Sequence, residues 1–174
     1  MNETVTQNTL PPQKITSTNI INWHNPFPHM AKGEPLLRDL RHEDTYAVVE
    51  HDVLMPDVAK IFMEQPDQAV LVYEKKKDKF LGVMYLYDYL RHYGSPPKGV
   101  SNIHKAAVSQ CADTNIISIN WDENVSQGWA KINKHKPKGV LLHDKEKEFV
   151  GYISNEDMWD ALEKMGSLDD SEDN

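Results

Sequence analysis

The sequence predicts an α+β chain in which one β-α-β-β-α unit is used twice, behind an N-terminal extension. The strongest observation is repetition. TYAVVEHDVLMPDVAKIFMEQPDQAVLVYEKKKDKFLGVMYLYDYL and NIISINWDENVSQGWAKINKHKPKGVLLHDKEKEFVGYISNEDMWDAL carry apolar, charged and turn residues in the same order. Gly82 and Gly151 stand 69 positions apart, as do Asp88 and Asp157, whereas Val70-Leu71-Val72 and Val140-Leu141-Leu142 stand 70 apart. The one-residue difference falls in a charged turn, EKKKDK against DKEKE, where a change of length costs little. Fixed-order self-similarity of this kind marks duplication of a supersecondary unit. In addition, each copy alternates short apolar runs with segments of 3.6-residue apolar period, and the turn-rich GSPPKG at 94–99 separates the copies.

Each element follows in order. Residues 1–34 form the extension. Its first part, MNETVTQNTLPPQKITSTN, is polar and marked by proline; its second, IINWHNPFPHMAKGE, carries Ile20, Ile21, Trp23, Phe27 and Met30, which are costly to leave in water. Two readings suit that stretch: a strap over the protein body, or a linear motif for a partner. The first repeat spans 35–94. Ala47-Val48-Val49 opens it as a strand, and Met55, Val58, Ala59 and Phe62 make one face of a helix that Asp57 favours near its start and Pro66 stops. The buried strand Val70–Val72, the charged turn, the strand Phe80–Met84 and a closing helix from Leu86 to His92 complete it. Residues 95–99 are the linker. The second repeat, 100–166, has strand Ile116–Ile119, a helix with Val125, Trp129 and Ile132 inward and Asp122 and Glu123 at its start, strands around Val140–Leu142 and Phe149–Ile153, and a helix from Asn155 to Met165. Pro137 stops its first helix. SLDDSEDN at 167–174 reads as a solvated acidic tail.

Length and composition bound the function. With 174 residues there is room for one compact domain or two very small ones. Net charge is −8, and only three of the nineteen cations are arginine: Arg38, Arg41 and Arg91. A nucleic-acid partner needs a basic footprint and is not expected. No apolar run approaches the roughly 18 residues that span a bilayer, so no membrane partner is expected either. A secretory leader is not expected at the N-terminus. The single cysteine, Cys111, allows no intrachain disulfide, has no base beside it, and suits a cytoplasmic protein.

The sharpest local feature is Gly151-Tyr152-Ile153-Ser154-Asn155-Glu156-Asp157, where a strand hands over to a helix. Free N–H groups at a helix start attract anions, and Ser154 adds a hydroxyl beside them. Asp157, one turn on, is placed to accept two hydrogen bonds from a vicinal diol. Phosphate donors beside a diol acceptor suit a ribonucleotide. The same S-x-x-D spacing is also a capping box, in which Ser154 and Asp157 only satisfy the helix's own N–H groups.

Repeat and motif together resemble a tandem pair of cystathionine-β-synthase (CBS) domains, a Bateman module, over residues 36–166 and through the G-h-h-[ST]-x-x-D signature at 151–157. The resemblance implies two CBS repeats related by pseudo-twofold symmetry, with adenosine nucleotides bound between them. It assigns the ribose to Asp157 and the phosphate side to Ser154. The family also places phosphate-contacting residues before the second strand, here Lys134-His135-Lys136-Pro137-Lys138-Gly139, which makes Lys138 the first choice and Lys136 the next. As a plain sequence feature, that cluster is equally a solvated helix end whose lysines suit the C-terminal dipole. For the adenine, the resemblance implies Ile116 and Ile117 with Val140 across the cleft.

The first copy departs from the signature. In Gly82-Val83-Met84-Tyr85-Leu86-Tyr87-Asp88 a bulky phenol stands where Ser or Thr is expected, and Gln65-Pro66-Asp67-Gln68 brings an acid in place of lysines. One competent site is therefore expected, in the second copy, with Asp88 left as a cap or a weak ribose holder. Eight histidines, His24 and His29 among them, form no metal-ligand spacing, and no nucleotide-loop or nucleophile motif occurs. Tyr85, Tyr89 and Tyr93 make a helical stripe suited to packing.

The function expected from all this is a non-enzymatic regulatory module. It binds AMP, ADP or ATP as ligand, with no cofactor, and acts in trans on an unidentified protein partner; cyclic di-AMP and S-adenosylmethionine stay open as ligands. A homodimer is expected, through helices that carry Trp129, Met158, Trp159, Leu162 and the tyrosine stripe. The alternative is a ligand-independent scaffold that works through the N-terminal extension, Trp23 and Phe27 above all.

Overall fold

The computed structural model describes residues 5–8, 34–40, 42 and 45–169, with side chains from 34 to 164 within that set. Ile20, Ile21, Trp23, His24, Phe27, His29, Met30 and the last five residues lie outside the described residues. Two compact units are found. The first comprises 1–10 and 44–116, the second 11–43 and 117–174.

The first unit holds a four-stranded sheet in the order β1-β2-β3-β4: Val5–Asn8, Tyr46–Glu50, Ala69–Glu74 and Lys79–Met84. Strand β2 runs parallel to β3, and β3 is antiparallel to β4. β3 is central and its first four residues are buried, so it reads as an unbroken apolar run. β1 was not expected, since the sequence placed residues 1–34 outside the repeats. It pairs antiparallel with β2, Val5 opposite Val49 through Asn8 opposite Tyr46, and covers what would be an open sheet edge. Helix α1, Met55–Glu64, crosses between β2 and β3 with Pro56 in its first turn, where a missing N–H is harmless. Met55, Val58, Ile61 and Phe62 are its buried face, Ile61 taking the place expected of Ala59. Helix α2, Leu86–Gly94, follows β4.

The second unit repeats the plan. Its sheet has the order β5-β6-β7: Ile116–Asn120, Gly139–His143 and Phe149–Ile153. Helix α3, Val125–His135, links the first two strands and α4, Asn155–Asp169, closes the unit. Asp122 and Glu123 do not enter α3; Asn124 caps it by accepting from Gln127 N–H at 2.9 Å, while Gln127 Oε1 accepts from Asn124 N–H at 3.1 Å. The first three residues assigned to the tail, 167–169, continue α4. Both hairpins carry an extra residue at the same step. Val72 opposes Gly82 and Tyr73 opposes Phe80, while Leu142 opposes Gly151 and His143 opposes Phe149, leaving Leu81 and Val150 as bulges.

The joint lies elsewhere than 95–99. Residues 100–116 cluster with the first unit. Ile103, Ala106, Val108 and Cys111 are buried in its core beside Val49, Val58, Phe62 and Val72. Backbone bonds sew them there: Met55 N–H to Ala106 O at 2.9 Å, Val108 N–H to Val53 O at 2.7 Å, and Val83 with Asp113 in both directions at 2.9 Å. That last pair explains Gly82, because a Cβ there would stand 2.5 Å from Asp113 O. Residues 34–40, assigned to the end of the extension and the start of the first repeat, belong instead to the second unit. Leu37 and Leu40 are buried with Ile119, Val125, Val140, Leu142, Ile153 and Ala161. The physical reason is the same in both places. A two-layer repeat leaves its strand-to-helix loops with unpaired carbonyls, and a passing segment that brings both N–H groups and leucines or valines satisfies them.

Candidate functional site

The corner between β7 and α4 is built by local hydrogen bonding. Ser154 Oγ accepts from the N–H groups of Glu156 and Asp157, each at 3.1 Å, and Asp157 Oδ2 accepts from Ser154 N–H at 2.9 Å. This is a reciprocal capping box. The other carboxylate oxygen is also engaged, by a residue 115 positions earlier: Asp157 Oδ1 accepts from His42 N–H at 2.9 Å. The His42 ring lies across the same group, Nδ1 at 3.7 Å from Oδ2, with Nε2 at 2.7 Å from Leu37 O. Asp157 is only 1 % exposed. Burial pushes its carboxyl up, but the His42 ring together with the Ser154 and His42 N–H groups outweighs burial and holds it below its ordinary value. It is a charged, capped and covered carboxylate.

Sheet register brings most of the other named residues to the same end. Val140 opposes Ile153, so the start of β6 lies beside the end of β7, and Lys138 precedes β6 next to the Ser154 corner. Trp121 N–H donates to His143 O at 2.9 Å just past β5, so β5 and β6 finish together and also begin together. Ile116, Ile117, Val140, Lys138 and Ser154 thus share one end of the sheet. Ile117 is half-buried against the core and Val140 is within it. Lys134, His135, Lys136 and Lys138 are all exposed. Lys136 ends α3 in a left-handed conformation, φ 45°, so the chain turns sharply there before Pro137. No heavy atom of the described residues stands within 4 Å of a Cβ built on Gly151.

The equivalent corner of the first unit differs. Tyr85 makes no side-chain cap, and Asp88 Oδ2 accepts from Tyr85 N–H at 3.2 Å. Arg91 Nη2 stands 3.5 Å from Asp88 Oδ1 and the carboxylate is buried. Before β3, Gln68 is buried and donates to Ile61 O at 3.2 Å, so that loop offers a packed amide in place of cations. The residue that sequence reasoning missed is His42. Its partner lies 115 positions along the chain, too far for any local pattern to show. Among the described residues, no helix is long and apolar enough to cross a membrane, and no group of three His, Cys, Asp or Glu side chains could hold a metal ion.

Known structures share this architecture. A hemolysin-like protein containing a CBS domain, from Oenococcus oeni PSU, superposes with TM-score 0.55 at 20% identity, covering 74% of this chain and 85% of its own. The CBS-domain pair of protein MJ0100, solved with 5-methylthioadenosine and S-adenosyl-L-methionine, gives 0.55 at 19%, over 75% and 97%. The fold is that of a CBS-domain pair. AcuB of Vibrio cholerae, described as an acetoin utilization protein, extends the similarity to 80% of this chain and 98% of its own, with TM-score 0.57 and 17% identity. No protein-family model matches the CBS pair described here, and no curated protein matches its sequence. The two β-α-β-β-α repeats read from the sequence are therefore CBS repeats in fold.

Proposed function

We propose that this CBS pair is a non-enzymatic regulatory module of the cytoplasm that binds an adenine nucleotide and signals to a partner protein in trans. One observation carries it. At one end of the second sheet, a helix start bearing Ser154 and the charged Asp157 lies beside a turn carrying the exposed Lys136 and Lys138. Helix N–H groups and lysines suit phosphates, and a carboxylate suits a ribose diol. That a CBS pair of the same fold was solved with 5-methylthioadenosine and S-adenosyl-L-methionine supports an adenosine-bearing ligand. In the first unit, Tyr85 and the packed Gln68 loop favour a single site.

The test is thermal unfolding with AMP, ADP, ATP, cyclic di-AMP and S-adenosylmethionine. A ligand at a hundred times its dissociation constant adds about 2.7 kcal/mol to stability. Asp157→Ala abolishes the shift, Asp88→Ala leaves it, and Lys138→Ala weakens ATP more than adenosine. One observation favours a second reading. Both Asp157 oxygens already accept protein N–H groups, as they would in a ligand-independent scaffold. Absence of a shift with all five compounds would select the scaffold.

A further inference from the structure

We propose that His42 is a latch on Asp157 that an incoming ligand displaces, so that binding is read out as release of the chain at position 42. The inference rests on the ligand-sensing reading above. Asp157 is closed to any ribose as it stands: its two oxygens accept from Ser154 N–H and His42 N–H, and 1 % of its surface is exposed. The Ser154 bond belongs to the same helix corner and stays with it. The His42 bond comes from the leading segment and is the one that can be exchanged for a diol hydroxyl.

That segment is held at two separable places. Residues 35–40 are fixed firmly: Val125 N–H donates to Pro35 O at 3.0 Å, Leu37 N–H to Glu123 O and Arg38 N–H to Trp121 O, both at 2.9 Å, and Leu37 and Leu40 sit in the core. Arg38 also meets Asp122 at 3.0 Å. His42 is fixed by its bond to Asp157 and by its ring against Leu37 O, in a left-handed conformation, φ 39°, that disfavours side chains. The firm part acts as an anchor and the strained end as the movable catch. A ligand prefers the released state because only that state exposes Asp157, which is the differential affinity that population shift requires.

Hydrogen exchange of the full chain, resolved to single amides, tests this. Without ligand, Asp157→Ala frees the His42 amide while the Leu37 and Arg38 amides keep their protection. With AMP, ATP or S-adenosylmethionine at saturation, the wild-type His42 amide exchanges at least roughly tenfold faster, again with Leu37 and Arg38 unchanged. His42→Pro removes the donor and forbids φ 39°, and binds the same compound roughly tenfold tighter, about the worth of one hydrogen bond to a charged group. His42→Ala keeps the donor but loses the ring contact and moves affinity in the same direction, which covers a proline variant that fails to fold. A compound that stabilises the protein while the His42 amide stays protected overturns the latch and leaves the sensing reading standing. Failure of every compound to bind wild type, His42→Pro and His42→Ala, with the amide still freed in Asp157→Ala, overturns the sensing reading and displacement with it.

Discussion

The Asp157 carboxylate has two tasks, fixing the Ser154 corner through Ser154 N–H and holding His42 through His42 N–H, while Ser154 Oγ caps α4. Its charge strengthens both, because an ionised carboxylate accepts N–H bonds about twice as strong as a neutral acceptor does. Burial alone would raise its proton affinity, yet the His42 ring and the two N–H groups leave it lowered from the ordinary 3.8. The folded state thus binds the proton more weakly than the unfolded chain. Linkage then gives Asp157 a stabilising contribution that is complete above the unfolded value near 3.8 and fades as pH falls through the lower folded value. Asp157→Asn keeps an acceptor and loses the charge. Urea unfolding is expected to show wild type about 1–2 kcal/mol more stable than Asp157→Asn at pH 7. The gap closes only below pH 3.8, toward the acid end. A gap unchanged between pH 7 and the acid end would mean that shape, not charge, supports the corner.

At the scale of elements, the second sheet depends on a segment that precedes the first repeat. Leu37 packs directly on the backbone of α3, where Gly128 leaves room: a Cβ there would stand 3.0 Å from Leu37 Cδ1. Leu37→Ala opens a cavity against α3 and is expected to cost about 2–5 kcal/mol, read as a drop in denaturant midpoint with m unchanged. If Leu37→Ala unfolds like wild type, the leading segment is a passenger rather than part of the core. The repeats themselves were legible because their apolar triplets, periodic helices and turn residues obey local rules: β3, β6 and the bulged hairpins fall within a residue or two of expectation. The exchange of 34–40 and 100–116 between units was not legible. It is made largely by backbone groups, such as Val83 with Asp113 and Arg38 with Trp121, which leave no side-chain pattern to read. The Ser154–Asp157 cap was visible at i, i+3; the His42 contact, 115 positions away, was not. β1 was missed for a related reason, since VTQN is too short and polar to declare itself without its partner strand.

For the whole molecule, the surface left by the two repeats is the remaining clue to assembly. Helix α2 exposes Tyr87 at 72 %, Leu90 at 59 % and Tyr93 at 57 %, and α4 exposes Trp159 at 64 % and Leu162 at 51 %. A single exposed leucine would need no explanation, but large aromatics repeated on the closing helix of both repeats are the residues that interfaces favour. The tyrosine stripe divides accordingly: Tyr89 turns inward against Phe62, ring centroids 6.1 Å apart, while Tyr93 stays outside. In a dimer that covered roughly 800 Å² per partner, burial of apolar area at about 25 cal/mol per Å² would make these side chains the main source of association energy. Equilibrium sedimentation at micromolar concentration is expected to give a dimer for wild type. The pair Leu90→Glu with Trp159→Glu is expected to give a monomer of unchanged helical content, because it places desolvated charges in both patches while both side chains point away from the cores. A wild-type monomer would remove the helices as an assembly surface, and a dimer that survives both charges would move the interface elsewhere.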